Sequence, residues 1–268
     1  MGPIGVFDSG VGGLTVLKQL CLTFPSQSWI YLGDTARLPY GTKSGVTIRT
    51  YTEENLNFLS HFNCQAFIIA CNSASAQFPD NSFNGRPVFK VIQPGAIQAL
   101  RETRNNKIGI IGTKATINSR VYEHELRGMG FTGELFSQAC PLFVPLVEEG
   151  LFHDPATDLI IDRYLHPMRD AGIDTLIMGC THYPLLHQAF RNYFGPNIRL
   201  VSSEAELTQQ LMANQCVQTE PSPPGHIILY TTDRVEFVTD VAKMILLGTT
   251  HTLEFRNLGG PNVYEGQP

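Results

Sequence analysis

The sequence has no closely spaced cysteine pair, no long apolar run and no basic stripe. Its six cysteines, Cys21, Cys64, Cys71, Cys140, Cys180 and Cys216, are widely scattered without a CxxC. That pattern argues for reduced thiols rather than a disulfide framework. The eight histidines are equally dispersed, and His182 and His187 stand five apart, off any common helix face. No metal site is expected. No apolar run nears the ~20 residues a membrane span needs. The formal net charge of −5 disfavours nucleic acid or an anionic membrane surface as partner. The start, Met1-Gly2-Pro3-Ile4-Gly5-Val6, has no basic segment and enters a strand-like run at once. It predicts no signal peptide, and Val6 breaks the myristoylation pattern. The expected location is cytoplasmic.

What is present is a globular composition, 43% apolar over 268 residues, enough for two ordinary domains. Strand-like and helix-like patterns alternate almost throughout, which predicts an α/β fold with mostly parallel sheets. Strands are expected near 3–7, 29–33, 66–70, 88–92, 107–111, 174–179, 198–201 and 226–230. Helices are expected in the intervals, for example Ser44–Phe62, Ala115–Arg127, Pro155–Ala171 and Asp233–Leu246. Pro221-Ser222-Pro223-Pro224-Gly225 reads as a loop, and the Gly-, Pro- and Asn-rich tail from Asn257 to Pro268 as a fraying end. The expected division is a first domain, 1–95, completed by a returning segment, 206–268, and a second domain, 96–205.

Two segments share one design. Ala66-Phe67-Ile68-Ile69-Ala70-Cys71-Asn72-Ser73 and Thr175-Leu176-Ile177-Met178-Gly179-Cys180-Thr181-His182 each run an apolar strand into a cysteine and small polar residues. Their offset is 109, the difference between 180 and 71. Ile4–Ser9 resembles Ile108–Thr113 at an offset of 104, and Lys90-Val91-Ile92 resembles Arg199-Leu200-Val201 at 109. Apolar strands resemble one another by default, but the shared cysteine favours a true repeat of two pseudo-symmetric halves. Each thiol stands where a buried parallel strand gives way to an expected helix, the place where open α/β sheets bind ligands. The helix dipole there would help a thiol ionise. Two such thiols, one from each half, suggest a base on either face of one small substrate.

The loop Asp8-Ser9-Gly10-Val11-Gly12-Gly13 superficially meets a dinucleotide fingerprint, with Asp34 near the end of the next strand. Thr15 occupies the place of its last glycine, and Asp8 would repel a pyrophosphate. A loop binding a small carboxylate through its amides and Ser9, with Asp8 near an ammonium, fits better, and an ordinary tight turn stays open. In Gly33–Gly41, Asp34 and Arg37 could simply pair with each other. Asn72, Ser73, Thr181 and His182 supply donors beside the thiols. Glu148 and Glu149 would ordinarily be solvated helix charges, and Cys21, Cys64, Cys140 and Cys216 packing or surface residues.

Several of these segments together resemble a known family. Asp8–Leu14, Gly33–Gly41, Ala70-Cys71-Asn72-Ser73-Ala74-Ser75-Ala76 and Gly179-Cys180-Thr181-His182-Tyr183-Pro184-Leu185-Leu186 resemble the signature segments of glutamate racemases. Gly112–Thr116 and Pro145–Glu148 agree, and the match runs in order from residue 4 to about 205. The resemblance implies two α/β domains with the active site between them. It also implies cofactor-free interconversion of L- and D-glutamate, supplying D-glutamate for peptidoglycan. On the matching positions it implies that Cys71 is the base for D-glutamate and Cys180 the base for L-glutamate. Asp8 would assist Cys71, while Glu148 and His182 would assist Cys180. Asp8, Ser9, Tyr40, Gly41, Asn72, Ser73, Thr113, Thr116, Thr181 and His182 would bind the substrate. Ser73 replaces the family's usual Thr and keeps the hydroxyl. Val201-Ser202-Ser203-Glu204 replaces Val-Asp-Ser-Ala, which puts any role of that Asp in doubt. Two alternatives remain: a sister enzyme such as an aspartate racemase or maleate isomerase, and a catalytically silent glutamate-binding protein. Oligomeric state is not set by the sequence; a homodimer is compatible with it.

Overall fold

Ile4–Asp8 (β1) is buried along its whole length, as a strand covered on both faces must be. It lies at the centre of the larger of two sheets in this computed structural model, which describes residues 2–220 and 222–259. The remaining strands, in chain order, are β2 (Trp29–Gly33), β3 (Ala66–Ile69), β4 (Ser82–Phe83), β5 (Arg86–Lys90), β6 (Lys107–Gly112), β7 (Glu134–Ala139), β8 (Thr175–Gly179), β9 (Arg199–Val201), β10 (His226–Thr231) and β11 (Thr252–Asn257). The first sheet has the order β11-β10-β2-β1-β3-β5-β4, parallel except for β4 against β5. The second has the order β7-β6-β8-β9 and is parallel throughout.

The expected α/β class with mostly parallel sheets is what the chain adopts. Within the first sheet the run β2-β1-β3-β5 has the same order and direction as β7-β6-β8-β9. β7 and β11 had no clear strand signal. Both are sheet-edge strands with largely half-buried or exposed side chains, so the apolar run that betrays a central strand is missing. The expected strand at 88–92 sits two residues earlier, at Arg86–Lys90, because Ile92 already begins a helix.

The helices are α1 (Leu14–Thr23), α2 (Gly45–Ser60), α3 (Asn72–Gln77), α4 (Ile92–Glu102), α5 (Lys114–Asn118), α6 (Val121–Gly128), α7 (Phe143–Glu148), α8 (Pro155–Asp170), α9 (His187–Phe194), α10 (Glu204–Ala213) and α11 (Val235–Ile245). The single helix expected over Ala115–Arg127 is two. Arg120 adopts a left-handed φ of 55° and breaks it. α2 starts where Ser44 accepts the Thr47 N–H at 3.2 Å, an N-cap worth about 1 kcal/mol. Helices α1, α10 and α11 cover one face of the first sheet with Leu14, Leu17, Leu207, Leu211 and Val238, and α2 covers the other with Ile48, Leu56 and Leu59. The second sheet is covered by α7, α8 and α9 on one face and by α4 and α6 on the other. Each sheet is therefore the middle of three layers. The expected fraying tail falls, from Gly260 onward, outside the described residues; Asn257 closes β11.

Candidate active site

The loops leaving the carboxyl ends of β1, β2, β3, β6 and β8 meet around one small cavity. The first sheet supplies Ser9, Tyr40, Gly41, Cys71, Asn72 and Ser73, and the second supplies Thr113, Cys180, Thr181 and His182. Leu38 and Pro39, from the Gly33–Gly41 segment, and Val144, which was not among the expected site residues, complete the wall. Asp8, Glu148 and Thr116 stand one layer behind it. A wider cavity of about 250 Å³ adjoins this one, shares Leu38, Pro39, Gly41, Thr113 and Val144, and is rimmed by Lys114, Glu148 and Glu149.

Cys71 caps α3 with extended backbone, directly after β3. Its Sγ lies 3.7 Å from Ser9 Oγ. The expected help with ionisation is outweighed here: burial, then the nearby Asp8 carboxylate, push the Cys71 thiol up to about 12. Asp8 is fully buried. Its carboxylate accepts from Gly10 N–H at 3.0 Å and from Thr181 Oγ1 at 3.2 Å, the second bond crossing between the sheets.

Cys180 also follows its strand directly, but no α-helix begins there. One 3-10 turn, Tyr183–Leu186, intervenes before α9. Tyr183 donates to Cys140 O at 2.9 Å and packs edge-on against Phe143, with centroids 5.3 Å apart. This fixes the residue next to His182. His182 Nδ1 lies 3.9 Å from Cys180 Sγ, and its Nε2 faces Glu148 Oε1 at 3.5 Å, close enough for ion pairing but outside hydrogen-bond geometry. Burial lowers the His182 pKa, but the contacts with Cys180 and Glu148 win and raise it to about 10. Burial likewise opposes the downward shift of the Glu148 carboxyl, which His182 and then Arg234 bring about. Arg234 Nη1 reaches Glu148 Oε2 at 3.4 Å from the loop after β10, 86 residues away, without any local sequence signal.

A hydroxyl cluster faces the thiols. Ser73 Oγ and Thr113 Oγ1 are 2.8 Å apart, and Thr116 Oγ1 lies 3.2 Å from Thr113 and 3.5 Å from Ser73. The Tyr40 hydroxyl is turned away from it: it donates to Asp34 and accepts from Asn55 Nδ2 at 2.9 Å. The Tyr40–Gly41 loop is thus left with main-chain groups to offer a ligand. Asp34 does pair with Arg37, at 2.7 Å, so that pair braces the loop. Gly12 is needed for close approach, since a Cβ there would lie 2.6 Å from His182 Nδ1 and would clash with Thr181 Oγ1. Cys21, Cys64 and Cys140 are buried in the layers, Cys216 is half-buried, and none of them lines the cavity.

A family profile described as Asp/Glu/Hydantoin racemase matches residues 15–211. A glutamate racemase of Sulfurihydrogenibium sp. (strain YO3AOP1) is 42% identical over 253 residues, 93% of this chain and 95% of that one. The crystal structure of a Bacillus anthracis glutamate racemase superposes with a TM-score of 0.87 at 32% identity, covering 97% of this chain and 99% of that one. A Francisella tularensis glutamate racemase solved in complex with D-glutamate superposes with a TM-score of 0.84 at 35% identity, covering 95% and 97%.

Proposed function

The chain belongs to the Asp/Glu/Hydantoin racemase family and stands among its glutamate racemases, and from that membership we propose a two-thiol mechanism. The observation that carries it is the pair of thiols on equivalent strand ends, after β3 and β8, both lining one small cavity. The relative bound to D-glutamate supports a small zwitterionic diacid as the ligand.

An amino-acid α-proton is very weakly acidic. Its removal leaves charge that the site must hold as an aci-carboxylate-like state with donors already in position. The Ser73, Thr113 and Thr116 hydroxyls, the Asn72 amide and the main-chain N–H groups of the Ser9 and Tyr40–Gly41 loops suit that task. In the L-to-D direction Cys180, as thiolate beside the His182 imidazolium, takes the α-proton. Cys71, as thiol, delivers a proton to the opposite face. The product leaves Cys71 as thiolate and Cys180 as thiol, the arrangement that D-glutamate requires for the return. The substrate ammonium offsets the Asp8 field, which otherwise keeps Cys71 protonated. Thr181 and Ser9 complete the polar lining. This reading places the enzyme in the cytoplasm, making D-glutamate for peptidoglycan. It also divides the chain at 1–95 with 206–268, and 96–205.

The test is solvent-deuterium incorporation at Cα with purified protein in D₂O, using both enantiomers of glutamate and aspartate. Incorporation from both glutamates is expected, with aspartate at least about tenfold slower because its side-chain carboxylate falls one methylene short of its partners. A protein that binds glutamate without any incorporation would be a silent binder, and equal rates on aspartate would reject glutamate selectivity.

A further inference from the structure

Tyr122 lies on α6 of the second sheet's layer and is buried, with no place in the cavity wall. Its hydroxyl donates to Asn72 Oδ1 at 2.7 Å, a bond spanning the two sheets' layers. Asn72 follows Cys71 and lines the cavity. The tyrosine ring also lies against Gly179, which precedes Cys180: a Cβ there would be 3.0 Å from Tyr122 Cε2. One side chain therefore touches the residue beside each thiol.

An asparagine amide has two faces that differ in hydrogen-bonding sense, and a buried one turns according to its partners. With Oδ1 engaged by the phenol, Asn72 Nδ2 has no hydrogen-bond partner among the described residues and is available to the cavity. Burial, and then the nearby Glu204 and Cys180, hold its pKa well above its ordinary value, so the phenol keeps the proton that it donates to Asn72 Oδ1. It remains a donor across the working pH range.

We infer that Tyr122 is a positioning residue: it fixes the Asn72 amide with its N–H donors toward the α-carboxylate of the bound amino acid. The claim rests on the racemase reading of the cavity and goes one layer beyond it. A pre-set donor need not reorganise as charge moves onto the carboxylate, so its effect is felt in the transition state. Without the phenol the amide can flip and present its oxygen to an anion.

The experiment measures kcat/KM for both enantiomers in Tyr122→Phe, Asn72→Ala, Asn72→Asp and the Tyr122→Phe/Asn72→Ala double variant. Tyr122→Phe keeps the ring against Gly179, and its far-UV circular dichroism should match the parent. It is expected to lose about tenfold, the order of one neutral hydrogen bond. The double variant is expected to fall no further than Asn72→Ala, since the phenol acts only through the amide. Asn72→Asp should be worse than Asn72→Ala, because it aims a carboxylate oxygen where a donor belongs. Multiplying losses in the double variant, or Asn72→Asp at least as active as Asn72→Ala, would overturn the assignment. Full activity in Tyr122→Phe beside an impaired Asn72→Ala rejects the Tyr122 role alone. Full activity in Asn72→Ala rejects the placement of Asn72 at the substrate, and the Tyr122 role with it.

Discussion

Cys71 and Cys180 end corresponding strands in the two sheets, yet their surroundings have opposite electrical character. Cys71 faces Ser9 and lies in the field of the Asp8 carboxylate. Cys180 faces His182, which leans on Glu148, which in turn meets Arg234. The backbone plan is repeated and the charges are not. Burial and the Asp8 anion hold the Cys71 thiol as a proton donor, whereas Cys180 has a cationic imidazole as its neighbour. The proposed two-base mechanism needs an inequality at rest, because two thiols or two thiolates would leave one face of the substrate without its partner.

Removing either thiol should erase the comparison altogether. Cys71→Ser and Cys180→Ser should each lower racemisation by about 10²–10⁴, the usual scale for a lost general acid or base. Because the two enantiomers have equal free energy, kcat/KM falls equally in both directions. The difference between the thiols emerges in proton exchange without inversion, followed by NMR in D₂O. Cys71→Ser should wash deuterium only into L-glutamate and Cys180→Ser only into D-glutamate. The reverse pattern would exchange the roles of the two residues.

A smaller effect sharpens the contrast without mutating anything. Iodoacetamide at about pH 8 should modify Cys180 faster than Cys71, whose thiolate is scarce because burial and Asp8 push its pKa up to about 12. Peptide mass mapping reads the order, and bound glutamate should slow both. Preferential labelling of Cys71 would contradict the asymmetry.

Arg234 is 44% exposed on its side chain, so its pair with Glu148 is solvent-screened. Arg234→Ala should cost only about two- to fivefold in kcat/KM. Rising salt should bring the parent's activity down toward that of the variant; a loss as deep as that of Cys180→Ser would give Arg234 a role in the chemistry itself. A separate effect is on stability. The folded state binds the His182 proton more tightly than the unfolded chain, about 10 against 6.5. That contribution is fully present below about pH 6.5 and is lost as pH rises toward 10. Cys71 adds a loss of the same sign only above pH 9. Urea midpoints should therefore fall from pH 6 to 9.5, and less steeply in His182→Asn.

The central strands were legible because burial on both faces writes them as apolar runs, as in Trp29–Gly33 and Thr175–Gly179. The edge strand β7 was hidden by its mixed residues Glu134-Leu135-Phe136-Ser137-Gln138-Ala139. The internal repeat contained it nonetheless: Glu134 stands 105 residues after Trp29, close to the 104 that relates β1 to β6. The residues gathered around the cavity were legible because they follow strand ends in short motifs. Arg234 and Tyr122 were not, because each acts across the molecule on a residue far away in the chain, Glu148 and Asn72. The divergence between the thiols was only half visible. A helix was expected after both, and it is burial and Asp8, neither readable from strand-end position, that hold the Cys71 proton.

The order of the first sheet carries a consequence for how the molecule is made. β2 has β1 on one side and β10 on the other, with Trp29 opposite Ile227. The second sheet draws only on residues 107–201. A chain emerging from the ribosome can therefore complete the later sheet first, while the earlier one waits with an open edge for its last two strands. The half that begins synthesis is the last to close, and a chain truncated before β10 would carry a finished second sheet beside an unfinished first, with one thiol in each.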